Sequence, residues 1–173
     1  MLDLLKSIVA IFTTAFSAVA PEAPSTVSGR LERKPVPPFS MPTTMNRTVT
    51  DRNLKGRPYV IGFCSDSDRS FDRFAPVLRG LTHKFSKEGL VVVAATGFHQ
   101  NRMPSRSLGV TGNQSRHCFV TFNNDRLMTV WGIRTLPTIV VVDRSGTVVL
   151  VQKDPTERNR SRLMDAVTVA ARK

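Results

Sequence analysis

The sequence predicts an α/β domain, a central mixed β-sheet flanked by helices, preceded by an N-terminal helix and an extended linker. Three features predict it. Near-continuous apolar and β-branched runs stand at Tyr59–Phe63, Leu90–Ala95 and Thr138–Val142, the texture of central strands buried on both faces. Between the first two runs, Phe71, Phe74, Val77, Leu78, Leu81 and Phe85 recur at helical spacing, so the connection reads strand, helix, parallel strand. After the third run the turn Asp143-Arg144-Ser145-Gly146 leads into Thr147–Val151, which reads as a hairpin.

In chain order, residues 1–20 hold an apolar run from Ser7 to Ala20, ended by Pro21. That run falls short of the roughly 20 residues of a membrane span. As a helix it places Leu4, Leu5, Ile8, Ile11, Phe12, Phe16 and Val19 on one side, an amphipathic pattern. Two readings compete for it. One is a targeting segment, for which Ala18-Val19-Ala20 resembles a cleavage pattern but Pro21 and Asp3 are out of place. The other is a retained helix that docks on a partner or lies on a membrane. Residues 21–38, with Pro35, Pro37 and Pro38 close together, read as a basic, Pro-rich linker. The domain is expected over 39–173.

Lys55-Gly56-Arg57-Pro58 is a turn before the first long strand, and Gly89 stands where a helix from Ser70 to Lys87 needs a C-cap. Asp154-Pro155-Thr156-Glu157 reads as the N-cap and first turn of a last helix running through Leu163, Met164, Val167 and Ala170.

The chain has 173 residues, of which 25 are Lys or Arg against 13 Asp or Glu, for a net charge of +12. Such a balance points to a polyanionic neighbour, nucleic acid or an anionic membrane. Arginine supplies 18 of the 25, and its planar fork suits phosphate and carboxylate recognition; codon bias would give the same composition. The cations cluster in three segments: Arg30, Arg33 and Lys34 in the linker, Arg102, Arg106 and Arg116 in an acid-free stretch, and Arg158, Arg160 and Arg162 in the last helix. With 7% aromatic residues there is little for base stacking, so phosphate contact is the better-supported mode. The two cysteines, Cys64 and Cys118, have no metal-ligand spacing and read as separate thiols. His117 beside Cys118 is not an activating base, because neighbouring strand residues point to opposite faces. His83 and His99 share no ligand spacing, and neither a metal nor a cofactor is expected.

Four stretches carry a resemblance. Phe39-Ser40-Met41-Pro42 resembles the F-x-L-P opening of membrane-anchored thioredoxin-like thiol reductases and of peroxiredoxins. Leu54-Lys55-Gly56-Arg57-Pro58 and the strand to Phe63 resemble their L-K-G-K-P-V-L-V-x-F. Trp131-Gly132-Ile133-Arg134-Thr135-Leu136-Pro137-Thr138 resembles Y-G-V-x-x-x-P-T, and Val142-Asp143-Arg144-Ser145-Gly146 resembles the I-D-x-x-G turn. Together they span about Phe39 to Val151, and the chain resembles a degenerate member of the thioredoxin-like superfamily. The resemblance implies a thioredoxin-like fold with Pro137 as the cis-proline that faces the active site; an inactive relative would keep Pro137 simply to shape the backbone before a strand.

The departure from the family lies at its chemistry. Relatives place W-C-x-x-C at the start of the helix after the first long strand. Counting back from Ala75-Pro76, which resembles the M-P of that helix, those four positions hold Asp68, Arg69, Ser70 and Phe71. None is a thiol, and the peroxiredoxin T-x-x-C is missing too. Without a resolving thiol, dithiol exchange is excluded. Cys64, directly after the strand, is the one weak candidate for a monothiol nucleophile; as a small buried residue it needs no chemistry.

The function expected is a structural or interaction subunit of a large assembly, with protein subunits and RNA as partners, in a mitochondrial ribosome or another organellar complex. Two alternatives stand beside it. A membrane-anchored or exported thiol-disulfide protein would use Cys64, and there the sequons Asn46-Arg47-Thr48 and Asn113-Gln114-Ser115 would matter. A peripheral membrane adaptor would insert residues 1–20.

Overall fold

A computed structural model describes residues 31–65, 70–96, 117–122 and 124–172. The N-terminal helix expected over 1–20, the linker up to residue 30, and Asp68, Arg69, His99, Arg102, Arg106 and Arg116 lie outside the described residues.

Among the described residues seven strands and three α-helices follow in order: β1 (Ser40–Pro42), β2 (Thr48–Thr50), β3 (Tyr59–Cys64), α1 (Ser70–Lys84), β4 (Val91–Thr96), β5 (Cys118–Thr121), α2 (Asp125–Val130), β6 (Thr138–Val142), β7 (Val148–Lys153) and α3 (Arg160–Arg172). β1 and β2 form a small antiparallel hairpin, and the other five make one mixed sheet in the order β5-β4-β3-β6-β7. β3, β4 and β5 run parallel, whereas β6 is antiparallel to β3 and β7 to β6. β3, β4 and β6 are buried at every position. Their unbroken apolar runs are therefore the sequence of a sheet covered on both faces.

Alternation along β3 divides the core in two. Val60 and Cys64 join Phe74, Leu78, Leu81, Leu163 and Val167 beneath α1 and α3. Tyr59, Ile61 and Phe63 join Phe39, Met41, Met128 and Trp131 on the opposite face. Gly62 lets α1 come close: a Cβ there would lie 2.7 Å from the ring of Phe74 and 3.1 Å from Leu78. Only a residue without a side chain admits the helix at that depth.

Two expectations are corrected. The segment over 31–38, expected as linker, is packed from Leu31 onward. Leu31 is buried against Val148 and Val151 in the second core. Arg33 N–H donates to Val148 O at 2.8 Å, and Val148 N–H to Lys34 O at 2.9 Å. Val151 N–H donates to the Glu32 carboxylate at 2.9 Å. The segment thus lies along the outer edge of β7, and the packed body begins before Phe39. At the opposite edge, Thr44 N–H donates to Val120 O of β5 at 3.0 Å.

The second correction concerns Asp154, which sits at φ +43 and is no helix cap. Asn159 takes over: its amide donates to Asp154 O and its oxygen accepts from Thr156 N–H at 2.7 Å. A 3-10 turn over Glu157–Asn159 follows, and α3 starts at Arg160. Asx side chains compete for backbone groups in this way wherever a turn brings them near.

Candidate functional site

The loops that the resemblance assigns to chemistry gather at the carboxyl end of the parallel strands. Phe63 is the register partner of Thr138, so Cys64 and Pro137 occupy the next step beyond that rung. The Leu136–Pro137 peptide is cis. Thr138 Oγ1 donates to Thr135 O at 2.6 Å, and Asp154 N–H donates to Pro137 O at 2.9 Å, which fixes the loop from both sides. Leu136 is exposed at its tip. Ser70 and Phe71, at two of the four degenerate positions, lie in the first turn of α1.

Cys64 is the last residue of β3 rather than a loop residue after it. Its side chain is fully buried in the core under α1. Sγ makes long contacts of 3.9 Å to Gly62 O and 3.8 Å to Ala95 O. A nucleophile must reach its electrophile, and this thiol has no exposed surface.

Cys118 begins β5 in the same core, at the other end of the sheet. Its partner on β4 is Val92, whereas Cys64 is paired with Thr96. Four residues along the strand and two strand spacings across put the two Cα atoms roughly 16 Å apart. A disulfide tolerates about 7 Å. Burial pushes the Cys118 thiol up to about 11, and a hydrogen bond with Thr82 offsets only part of that. The neighbouring His117 ring is engaged elsewhere, 3.0 Å from the Arg57 guanidinium.

The carboxyl end also holds a buried polar cluster. Asn124 Nδ2 donates to Thr96 O and to Thr121 Oγ1, both at 2.9 Å. Thr96 Oγ1 donates to Thr121 O at 2.9 Å. Each member thus answers a backbone carbonyl or another member, a closed network that holds α2 to the sheet. Trp131 packs edge-on against Phe39 and Phe63, and its buried Nε1 has no acceptor among the described residues. Among the described residues no group of three or more His, Cys, Asp or Glu could hold a metal ion.

At the amino end of the strands the chemistry is cationic. The Arg144 guanidinium donates to Ala171 O at 3.2 Å, Glu88 O at 2.9 Å and Gly56 O at 3.3 Å. One side chain thereby ties the end of α3, the turn after α1 and the turn before β3. Arg57 reaches Gly89 O at 3.4 Å. Tyr59, buried beneath them, has its phenol pushed up by burial first and then by the carboxylates of Asp51 and Asp143.

The described cations expected to meet a polyanion divide between the two ends. Arg33 and Lys34 are exposed at the amino end. Arg158, Arg160 and Arg162 are exposed where α3 begins, beside the end of β7, and Arg162 lies 4.0 Å from Glu32. Arg144 was visible in the sequence only as a turn residue, because its three partners are brought together by tertiary structure alone.

No protein-family model matches the chain, and no curated protein matches it in sequence. Solved structures do. A candidate thiol:disulfide interchange protein DsbE from Chlorobium tepidum superposes with a TM-score of 0.69 at 18% identity, covering 81% of this chain and 97% of that one. The thioredoxin domain of a thiol-disulfide oxidoreductase from Bacteroides vulgatus gives 0.62 at 13% identity over 78% and 95% of the two chains. A thioredoxin-family thiol:disulfide interchange protein from Chlorobium tepidum TLS gives 0.59 at 21% identity over 81% and 97%. The fold is therefore thioredoxin-like. At these identities the likeness concerns backbone architecture alone.

Proposed function

We propose that this chain is a redox-inactive thioredoxin-like domain serving as a structural or interaction subunit of a large assembly, in a mitochondrial ribosome or another organellar complex. The observation that carries the reading is the placement of its only two thiols. Both are buried, they sit at opposite ends of the sheet, and neither belongs to a C-x-x-C pair. Dithiol exchange needs an exposed thiolate and a second thiol within reach of the mixed disulfide. The scaffold that positions such a pair is kept, with its fixed proline loop and its packed α1. A fold retained without its reactive groups is suited to present surfaces. The formal charge of +12 supports RNA, alongside protein subunits, as a partner. The segment 1–20 supplies a second means of attachment, to protein or membrane.

Native affinity purification of the tagged full-length chain, with mass spectrometry and RNA quantification, tests this reading. Stoichiometric protein partners with RNA are the expected result. Recovery of the chain alone, or of mixed disulfides lost in Cys64→Ser, would replace it with the thiol-protein alternative.

A further inference from the structure

We propose that the amino end of the sheet is a platform for the phosphodiester backbone of RNA, read without regard to base sequence. The inference rests on the assembly-subunit reading and places its nucleic-acid contact on one surface. The turns that converge there carry Arg33, Lys34, Arg52, Lys55, Lys87 and Arg172, all exposed. Among the described residues none of the six makes an ion pair or a side-chain hydrogen bond.

Four acids, Glu32, Asp51, Glu88 and Asp143, stand on the same turns, against these six cations together with Arg57 and Arg144. Asp51 accepts from Phe39 N–H, and Asp143, itself buried, accepts from the N–H groups of Ser145 and Thr147. Glu88 is the exposed carboxylate among these turns.

Cations at this end have a second explanation, because α1 and α3 both finish there and helix carboxyl ends carry partial negative charge. Arg144 on Ala171 O answers the end of α3, and His83 and Lys84 stand in the last turn of α1. Of the six, Arg172 lies in the last turn of α3, whereas Arg33, Lys34, Arg52, Lys55 and Lys87 lie outside both helices. Arg144 also joins the backbones beside Lys55, Lys87 and Arg172, so the points from which these three charges project are tied to one another.

The chemistry of the array selects the partner. Among the described residues at this end Phe85 and Tyr59 are buried and Phe119 is half-buried, so little ring surface is offered to a base, and the recognition is of phosphates. Of the exposed apolar side chains, Met45, Val130 and Leu136 belong to the β1–β2 turn, α2 and the proline loop, and Val169, three residues before Arg172 in α3, stands near this end. A surface for a membrane would combine broad apolar insertion with charge, and one valine among six cations supplies little of it.

Fluorescence anisotropy with a short labelled RNA hairpin, titrated with full-length protein between about 50 and 200 mM salt, is the test. The variant K55Q/K87Q/R172Q changes only exposed side chains and should fold, as circular dichroism will check. It should bind about tenfold or more weakly, with a salt slope shallower by about 2. The control R158Q/R160Q/R162Q alters the other end of α3, where Arg160 lies about 18 Å from Arg172 along the helix, and should bind within about twofold of wild type. A scrambled hairpin should bind equally well. The proposal is overturned if the first variant binds like wild type, if the control carries the loss, if base sequence matters, or if wild type binds phosphatidylserine-containing vesicles and no RNA. Wild type that copurifies with a protein assembly yet binds no RNA would sink this inference and leave the subunit reading standing.

Discussion

The two ends of the sheet solve opposite problems. At the carboxyl end, Asn124, Thr96 and Thr121 turn their polar atoms inward onto one another and onto carbonyls, and Cys64 is sealed beneath α1. At the amino end, Arg144 and Arg57 answer the backbone while other cations point to solvent without partners. The first end keeps a cis-proline loop and buries its cysteine. The second carries charged side chains with no partner among the described residues. The sheet between them is the same five strands. Burial in the middle thus maintains two ends of different chemistry.

The largest effect should come from testing that shared support. In Gly62→Val the new side chain collides with Phe74 and Leu78, and overpacking of this kind costs about 3 kcal/mol. Thermal unfolding should show one cooperative transition at lower temperature. Two transitions would mean that the ends are not coupled through α1.

The thiols sharpen the contrast next. Cys118 holds its proton to about pH 11 in the folded state, against an ordinary 9.0. As pH rises through 9 the unfolded chain loses that proton while the folded chain keeps it, so the unfolded state binds fewer protons and stability falls. The stabilisation is complete below pH 9 and is lost by about pH 11, a change of about 2 to 3 kcal/mol. Tyr59, also pushed up, adds to the loss at higher pH. Denaturant midpoints across that window should drop, and Cys118→Ala should remove the Cys118 share.

Arg144→Ala comes third, with an expected cost of about 2 kcal/mol from unanswered carbonyls on three segments. Hydrogen exchange should quicken at the end of α3 and in the turns around Gly56 and Glu88, while the Asn124 network stays protected. Loss of protection at Asn124 as well would break the distinction between the ends. The smallest effect belongs to Cys64→Ala, a loss of about 1 kcal/mol in packing. Insulin reduction should be absent in wild type and variant alike; activity that disappears with Cys64 would restore chemistry to the carboxyl end.

Legibility followed the range of the forces involved. The runs at Tyr59, Leu90 and Thr138 and the helical spacing from Phe74 to Phe85 appear in the fold within a few residues, since each records its own burial. The packing of 31–38 was hidden because its hydrogen bonds go to Val148 and Gly146, partners more than a hundred positions away that a Pro-rich composition does not announce. The start of α3 was misread because Asp154 has the chemistry of a cap, and Asn159, five residues on, bonds back to its carbonyl. At the carboxyl end the missing thiol pair was plain in the sequence, but the sealing of Cys64 was not, because that depends on the depth at which α1 packs over Gly62. The cations at the amino end could not be grouped in the sequence for a related reason. They come from three turns and a helix end that only the folded sheet assembles.

The segment that lies along β7, and Thr44 against β5, also leave the sheet with guarded borders. Open strand borders invite chains to add to one another and aggregate. Here the protein's own leading segment occupies the outer border of β7 and touches that of β5, so copies crowded together during synthesis meet few vacant peptide groups. Shortening the chain to begin at Phe39 would bare the β7 border and leave its peptide groups open to pairing with another chain.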